Sequence, residues 1–159
     1  MKRLLGIDLG TRRIGLALAE PGDVRAVPLG TLTRGRSPDD DAGRIARIAA
    51  ANGVAELIVG LPLDMSGKEG AAADAARTWA GAIGARTGLP VVLRDERLTS
   101  HVAAGRVGRA RRGSAGGPPG PARRAVHRAR IDAAAAAVIL EDELDARRQS
   151  AAGPTVEES

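Results

Sequence analysis

Several carboxylates in this 159-residue chain stand where an acid is costly unless it meets a ligand. Asp8 ends the apolar run Arg3-Leu4-Leu5-Gly6-Ile7, directly before the turn Gly10-Thr11-Arg12-Arg13. Asp95 and Glu96 follow the apolar run Pro90-Val91-Val92-Leu93-Arg94, and Asp132 follows the basic approach His127-Arg128-Ala129-Arg130. An unpaired carboxylate in apolar surroundings is expensive, so such acids face a cleft, a cation or solvent. Strand ends on one sheet edge would bring Asp8 together with Asp95 or Glu96, and a helix N-terminus would deliver Asp132. Acids grouped in this way repel one another until cations neutralise them. All-oxygen ligands select Mg²⁺ or Mn²⁺. Two such ions about 3.5–4 Å apart activate water and stabilise the leaving oxygen of a phosphodiester.

Each acid also has an ordinary structural explanation. Asp132 would serve as the N-cap of the last helix, and Asp95 or Glu96 would be surface acids at a strand end. Asp8 is the hardest to explain this way. Its glycine turn, with backbone N–H groups and Thr11 beside it, would suit a phosphate as well as a metal ion.

The elements that must position these residues alternate along the chain. Residues 3–9 and 14–19 read as two strands joined by the Gly10–Arg13 turn into a hairpin. A third strand over 25–32 carries Pro28, which favours an edge or a bulge. Ser37-Pro38-Asp39-Asp40 reads as a helix start, and Asn52-Gly53 as its end. A buried strand over 56–60 leads into the loop Leu61–Gly67, and an alanine-rich helix over about 70–86 stops before Gly88. A fifth strand covers 90–94 and a further helix about 100–109. The last helix is expected from 131 or 132 to about 147, on the stripe Ile131, Ala135, Val138, Ile139. The resulting class is α/β: a mixed five-stranded sheet, leading antiparallel strands first and alternating helices and strands after, with helices on both faces. One domain over 1–148 is expected, with a mobile basic Gly/Pro-rich loop about 109–125 and a disordered tail over 149–159.

Charge is distributed unevenly. Nine arginines and no acid lie between Arg97 and Ile131, while the remainder carries 15 basic against 19 acidic side chains. The whole positive excess of this +5 chain therefore sits in one segment. Such a field attracts polyanions, and guanidinium forks match phosphate oxygens. With Trp79 as the only aromatic residue, base stacking contributes little, so nucleic-acid affinity would be electrostatic and steeply salt-dependent. The absence of cysteine excludes disulfides and thiolate zinc sites. No apolar stretch reaches membrane length and the start is unlike a signal peptide, so a cytoplasmic protein without a membrane partner is expected.

Four segments in order, Asp8-Leu9-Gly10-Thr11-Arg12-Arg13-Ile14-Gly15, Gly60-Leu61-Pro62-Leu63-Asp64-Met65-Ser66-Gly67, Asp95-Glu96-Arg97-Leu98-Thr99-Ser100 and Ile131-Asp132-Ala133-Ala134-Ala135, closely resemble the YqgF/RuvX family. That family comprises pre-16S ribosomal RNA nucleases, also called Holliday-junction-resolvase-like proteins, with a ribonuclease H-like fold. The resemblance implies a metal-dependent endonuclease whose catalytic and metal-binding acids are Asp8, Glu96 and Asp132. The preference for Glu96 over Asp95 rests on the resemblance alone. It further implies that the Gly-Leu-Pro loop lines the same edge, with Ser66 and Lys68 as substrate contacts and Arg97 reaching a phosphate or bracing the site. Thr11, Arg12, Arg109, Arg111, Arg112, Arg128 and Arg130 complete the expected nucleic-acid contacts. Asp64 departs from the asparagine common in the family and is read as polar lining.

The implied function is processing of the 5′ end of precursor 16S rRNA, with that RNA or the ribosomal subunit as partner. Alternatives are a Holliday-junction-type DNA resolvase, for which a symmetric homodimer would suit a two-fold junction, and a non-catalytic nucleic-acid-binding module. The Asp-x-Gly-Thr turn also resembles the phosphate turn of actin-like sugar kinases and chaperone ATPases. Those need a second lobe for which this chain is too short.

Overall fold

The computed structural model describes residues 2–62, 70–95, 99–108 (99–101 as backbone only) and 116–153. Strands β1 (Arg3–Leu9), β2 (Arg13–Ala19) and β3 (Val27–Thr33) form an antiparallel meander. Helix α1 (Pro38–Ala51) leads to β4 (Val54–Leu61), and α2 (Ala71–Thr87) leads to β5 (Val91–Asp95). Both β4 and β5 run parallel to β1, giving the order β3-β2-β1-β4-β5. Helix α3 (Thr99–Val107) and the long α4 (Pro121–Ala152) complete the described chain. The expected mixed five-stranded sheet is therefore present, with its antiparallel strands first and helices on both faces.

Strand alternation assigns the two faces. Leu5 and Ile7 of β1, with Ile14 and Leu16 of β2, pack against Ile45 and Ala49 of α1 and Trp79, Ala80 and Ile83 of α2. The intervening residues Leu4 and Ala17 turn to Ala136, Ile139 and Leu140 of α4. Asp8 continues the Leu4–Gly6 alternation and so belongs to the α4 face. Local signals set the helix ends. Ser37 Oγ caps α1 by accepting the Asp40 N–H at 3.2 Å, and Gly88 closes α2 in the left-handed region at φ 69°. Pro28 lies on the sheet's edge strand, opposite a register shift between Leu16 and Ala17.

The last helix differs from expectation in both directions. It starts at Pro121 rather than near Ile131, and it continues to Ala152 rather than ending near Arg147. Proline suits the first helical turn, and the residues after it are good helix formers with no breaker before Asp132. The apolar stripe marks only where the helix meets the sheet. Its first turns are solvated and need no stripe, so the periodicity misplaced the start. Arg123 and Arg124 consequently sit on a helix rather than in a loop, and residues 149–152 are helical rather than disordered. Residues 109–115 and 154–159 lie outside the described residues. β3 is shifted to Val27–Thr33 and α3 to Thr99–Val107, against 25–32 and 100–109 expected.

Candidate active site

Two strand glycines determine where α4 lies. A Cβ on Gly6 would stand 2.7 Å from the carbonyl oxygen of Ala136, and one on Gly15 only 2.0 Å from the carbonyl oxygen of Asp132. Any side chain at either position would push the helix off the sheet. Asp132, Ala136 and Leu140 are spaced by one helical turn each, so a single ridge of α4 runs along β1 and β2. Gly15 is also the cross-strand partner of Asp8. The glycine that admits Asp132 is thus the residue opposite Asp8, and the two acids come to line one cleft.

That cleft has a volume of about 660 Å³ and is lined by Asp8, Leu9, the turn Gly10–Arg13, Arg128 and Asp132. Asp132 is well inside α4, not at a helix N-terminus as expected, and it does not cap the helix; Gly120 occupies the cap position. Arg128, one turn earlier on α4, is delivered to the cleft by the same ridge. Arg13 Nε donates to Asp132 Oδ2 at 2.5 Å, with the two side chains 32% and 22% exposed. A charge-assisted bond at this partial burial holds the Asp132 carboxylate in one orientation. The Gly10 N–H closes the turn on the Arg13 carbonyl at 2.9 Å.

The turn is braced from the other face of the sheet. Asp41 of α1 is fully buried and accepts from the Gly35 N–H at 2.7 Å, from Arg44 at 2.6 Å and from Trp79 Nε1 at 3.1 Å. Burial pushes its carboxyl upward, but these hydrogen bonds and the Arg44 charge outweigh that and hold it below the ordinary carboxylate range. Arg34 stands 3.7 Å from Asp41 and donates through Nη1 to the Gly10 carbonyl at 3.2 Å. The Arg34 backbone N–H also bonds to the Arg12 carbonyl at 2.9 Å. Asp41 and Arg34 therefore fix the turn that follows Asp8.

Of the residues expected from sequence, the cleft brings together Asp8, Thr11, Arg12, Arg128 and Asp132. Asp95 ends β5 level with Leu61 of β4 and is exposed. Arg130 points elsewhere. It lines an apolar groove of about 600 Å³ between β3, α3 and α4, together with Leu29 and Val126. Glu96, Arg97, Asp64, Ser66, Lys68, Arg109, Arg111 and Arg112 lie outside the described residues. Among the described residues no three His, Cys, Asp or Glu side chains cluster as a metal site. Arg13, Arg34 and Gly15 were not singled out from sequence. Gly6 and Gly15 inside apolar strands were the available signal, since such glycines mark a close backbone approach.

A family model described as RuvX, Holliday junction resolvase, matches residues 2–146. The chain belongs to the RuvX family. A relative from Acidiphilium cryptum, provisionally named a pre-16S rRNA nuclease, is 44% identical over 143 residues, covering 90% of this chain and 84% of its own. One of the same name from Nocardioides sp. is 42% identical over 156 residues, covering 94% and 92%. Among solved structures, Thermus thermophilus RuvC in complex with a Holliday junction substrate aligns over 94% of this chain and 98% of that one. Its TM-score is 0.51 at 19% identity, a likeness of fold that agrees with a ribonuclease H-like class for this RuvX member. RuvX is a nuclease family, so the enzyme class is a hydrolase acting on phosphodiester bonds. No described helix is long and apolar enough to cross a membrane.

Proposed function

We propose that this RuvX protein is a metal-dependent endonuclease acting at the 5′ end of precursor 16S rRNA. The observation that carries the reading is the convergence of Asp8 and Asp132 on one arginine-lined cleft, through the close contact at Gly15. Two carboxylates, with Glu96 as the third by family resemblance, make an all-oxygen donor set that fits Mg²⁺ or Mn²⁺ and suits neither zinc nor copper. Bound there, such ions would polarise the attacking water and offset charge on the leaving oxygen.

The chain's own residues supply the rest. Arg13 holds Asp132 Oδ2, and among the described residues none donates to Oδ1. Arg128, on α4, and Arg12, on the turn after β1, would hold the phosphodiester and offset its charge. The exposed Arg123 and Arg124, on the solvated start of α4, extend the positive surface beyond the cleft. Arg97, Arg109, Arg111, Arg112, Ser66 and Lys68 remain expected substrate contacts on the strength of the sequence. Processing an RNA end requires no dimer.

The family's description favours a second reading, resolution of a four-way DNA junction. One experiment separates them: cleavage of precursor 16S RNA and of a four-way junction by wild type and Asp8→Asn, in Mg²⁺, Mn²⁺ or EDTA. Metal-dependent cutting of the RNA alone, abolished by the substitution, is the expected result. Cutting of the junction alone would favour resolution. Binding of either substrate without cutting in any metal would leave a non-catalytic nucleic-acid-binding module.

A further inference from the structure

A second cleft, of about 430 Å³, adjoins the first and shares Thr11 and Arg12 with it. Its other lining residues are Thr33, Arg34, Gly35, Arg36, Ser37 and Pro38. Three guanidinium groups and three hydroxyls thus line it, and no carboxylate is among the lining residues. This composition is unlike that of the rest of the molecule outside residues 97–131, where acids outnumber bases.

Two of the nearby acids are occupied elsewhere, and the third, Asp40, stands beside the cleft on the Arg36 backbone. Asp39 pairs with Arg86 at 3.2 Å, Asp40 accepts the Arg36 backbone N–H at 3.2 Å, and Asp41 is buried among its own donors. The walls are also held together before any ligand arrives. Arg34 joins them through its N–H on the Arg12 carbonyl, its Nη1 on the Gly10 carbonyl and its pairing with Asp41. Arg34 is therefore a strut, while the exposed Arg12 and Arg36 carry the accessible charge.

We infer that this cleft binds the phosphodiester backbone of the nucleic acid being cut, with Arg12 and Arg36 as its phosphate contacts. The inference rests on the nuclease reading above and extends it. Backbone leaving the Asp8–Asp132 cleft passes over Thr11 and Arg12 toward Arg36, on the side opposite α4. The substrate is then held on both sides of the scissile bond, and only one side uses the arginine-rich segment. Fixed donors on a rigid turn suit a backbone contact that positions without reading sequence.

The test is equilibrium binding of a fluorescent RNA hairpin with a single-stranded 5′ extension, followed by anisotropy in EDTA across a KCl series. The proteins are wild type, Arg36→Gln, Arg36→Lys and Arg128→Gln. Loss of one phosphate contact should weaken binding about three- to tenfold and lower the log–log salt slope by about 0.7–0.9. Arg36→Gln should show this at unchanged thermal midpoint, with Arg36→Lys recovering most of it. Wild-type affinity and slope in Arg36→Gln, with Arg128→Gln impaired, would overturn the second cleft and leave the nuclease reading standing. Wild-type behaviour in both would remove the electrostatic part of that reading as well. Inorganic phosphate serves as the other arm. If it binds wild type at submillimolar concentration but not Arg36→Gln, and does not displace the RNA, the cleft takes a free anion and the backbone assignment fails.

Discussion

The two faces of this sheet each carry acids, and the acids differ in kind. On the α1–α2 face, Asp41 is fully buried among large apolar groups and has a donor for each oxygen. On the α4 face, Asp8 and Asp132 line an open cleft among arginines, against small residues that let a helix backbone come close. A carboxylate whose bonding capacity is filled by the fold contributes stability and is closed to ligands. Asp132 is about a fifth exposed, with Oδ2 held by Arg13 and no donor to Oδ1 among the described residues. Arg34 couples the faces, since it spans Asp41 and the turn after Asp8.

The comparison can be tested from its largest consequence downward. Gly15→Ala should cost about 3 kcal/mol or more, because the new methyl collides with the Asp132 backbone rather than with a flexible side chain. Urea denaturation reads the stability, and cleavage by the folded fraction should fall with it as Asp132 moves from Asp8. Asp8→Asn should do the reverse, reducing cleavage more than about a hundredfold while the thermal midpoint stays within about 2 °C. A large drop in midpoint would make Asp8 a structural acid and blur the distinction between the faces.

Asp41→Asn should cost about 2 kcal/mol, the loss of charged hydrogen bonds at a buried site. Its pH dependence has a definite sign. The folded-state pKa is lowered, so this stability is fully present above the unfolded value near 3.8 and fades as pH falls through the folded one. The difference between wild type and Asp41→Asn should therefore be constant from neutrality to about pH 5 and shrink below about pH 4. Arg13→Gln frees Asp132 without removing it and should move the half-saturating Mg²⁺ concentration by about tenfold. Mn²⁺ titration followed by electron paramagnetic resonance checks this without reference to turnover. The smallest effect is expected from Ser37→Ala, about 1 kcal/mol or less from loss of the α1 cap, read by urea denaturation.

Local signals were legible wherever one residue type is sufficient to set the backbone. The Gly10 turn and the strands around it announced the hairpin, Ser37-Pro38 announced α1, and Gly88 announced the end of α2. Asp8 and Asp132 were legible as acids out of place, and the order of motifs carried the family. The start of α4 was misread because solvated turns lack the apolar stripe that marks a packed helix. Arg36 was overlooked because a charge count locates only the densest run of arginines, whereas its cleft draws residues from two separated turns.

By itself, then, the chain determined its hairpin, both ends of α1, the end of α2, its small-residue strand positions and the identity of the acids at Asp8 and Asp132. These follow from steric and hydrogen-bonding preferences that act within a few residues. Only the tertiary structure decided that Gly15 seats Asp132 opposite Asp8, that Arg13 rather than a helix cap holds Asp132, and that Arg34 ties Asp41 to the turn after Asp8. Arg13 and Asp132 are 119 positions apart, and packing of a helix backbone on a glycine strand is what makes them neighbours.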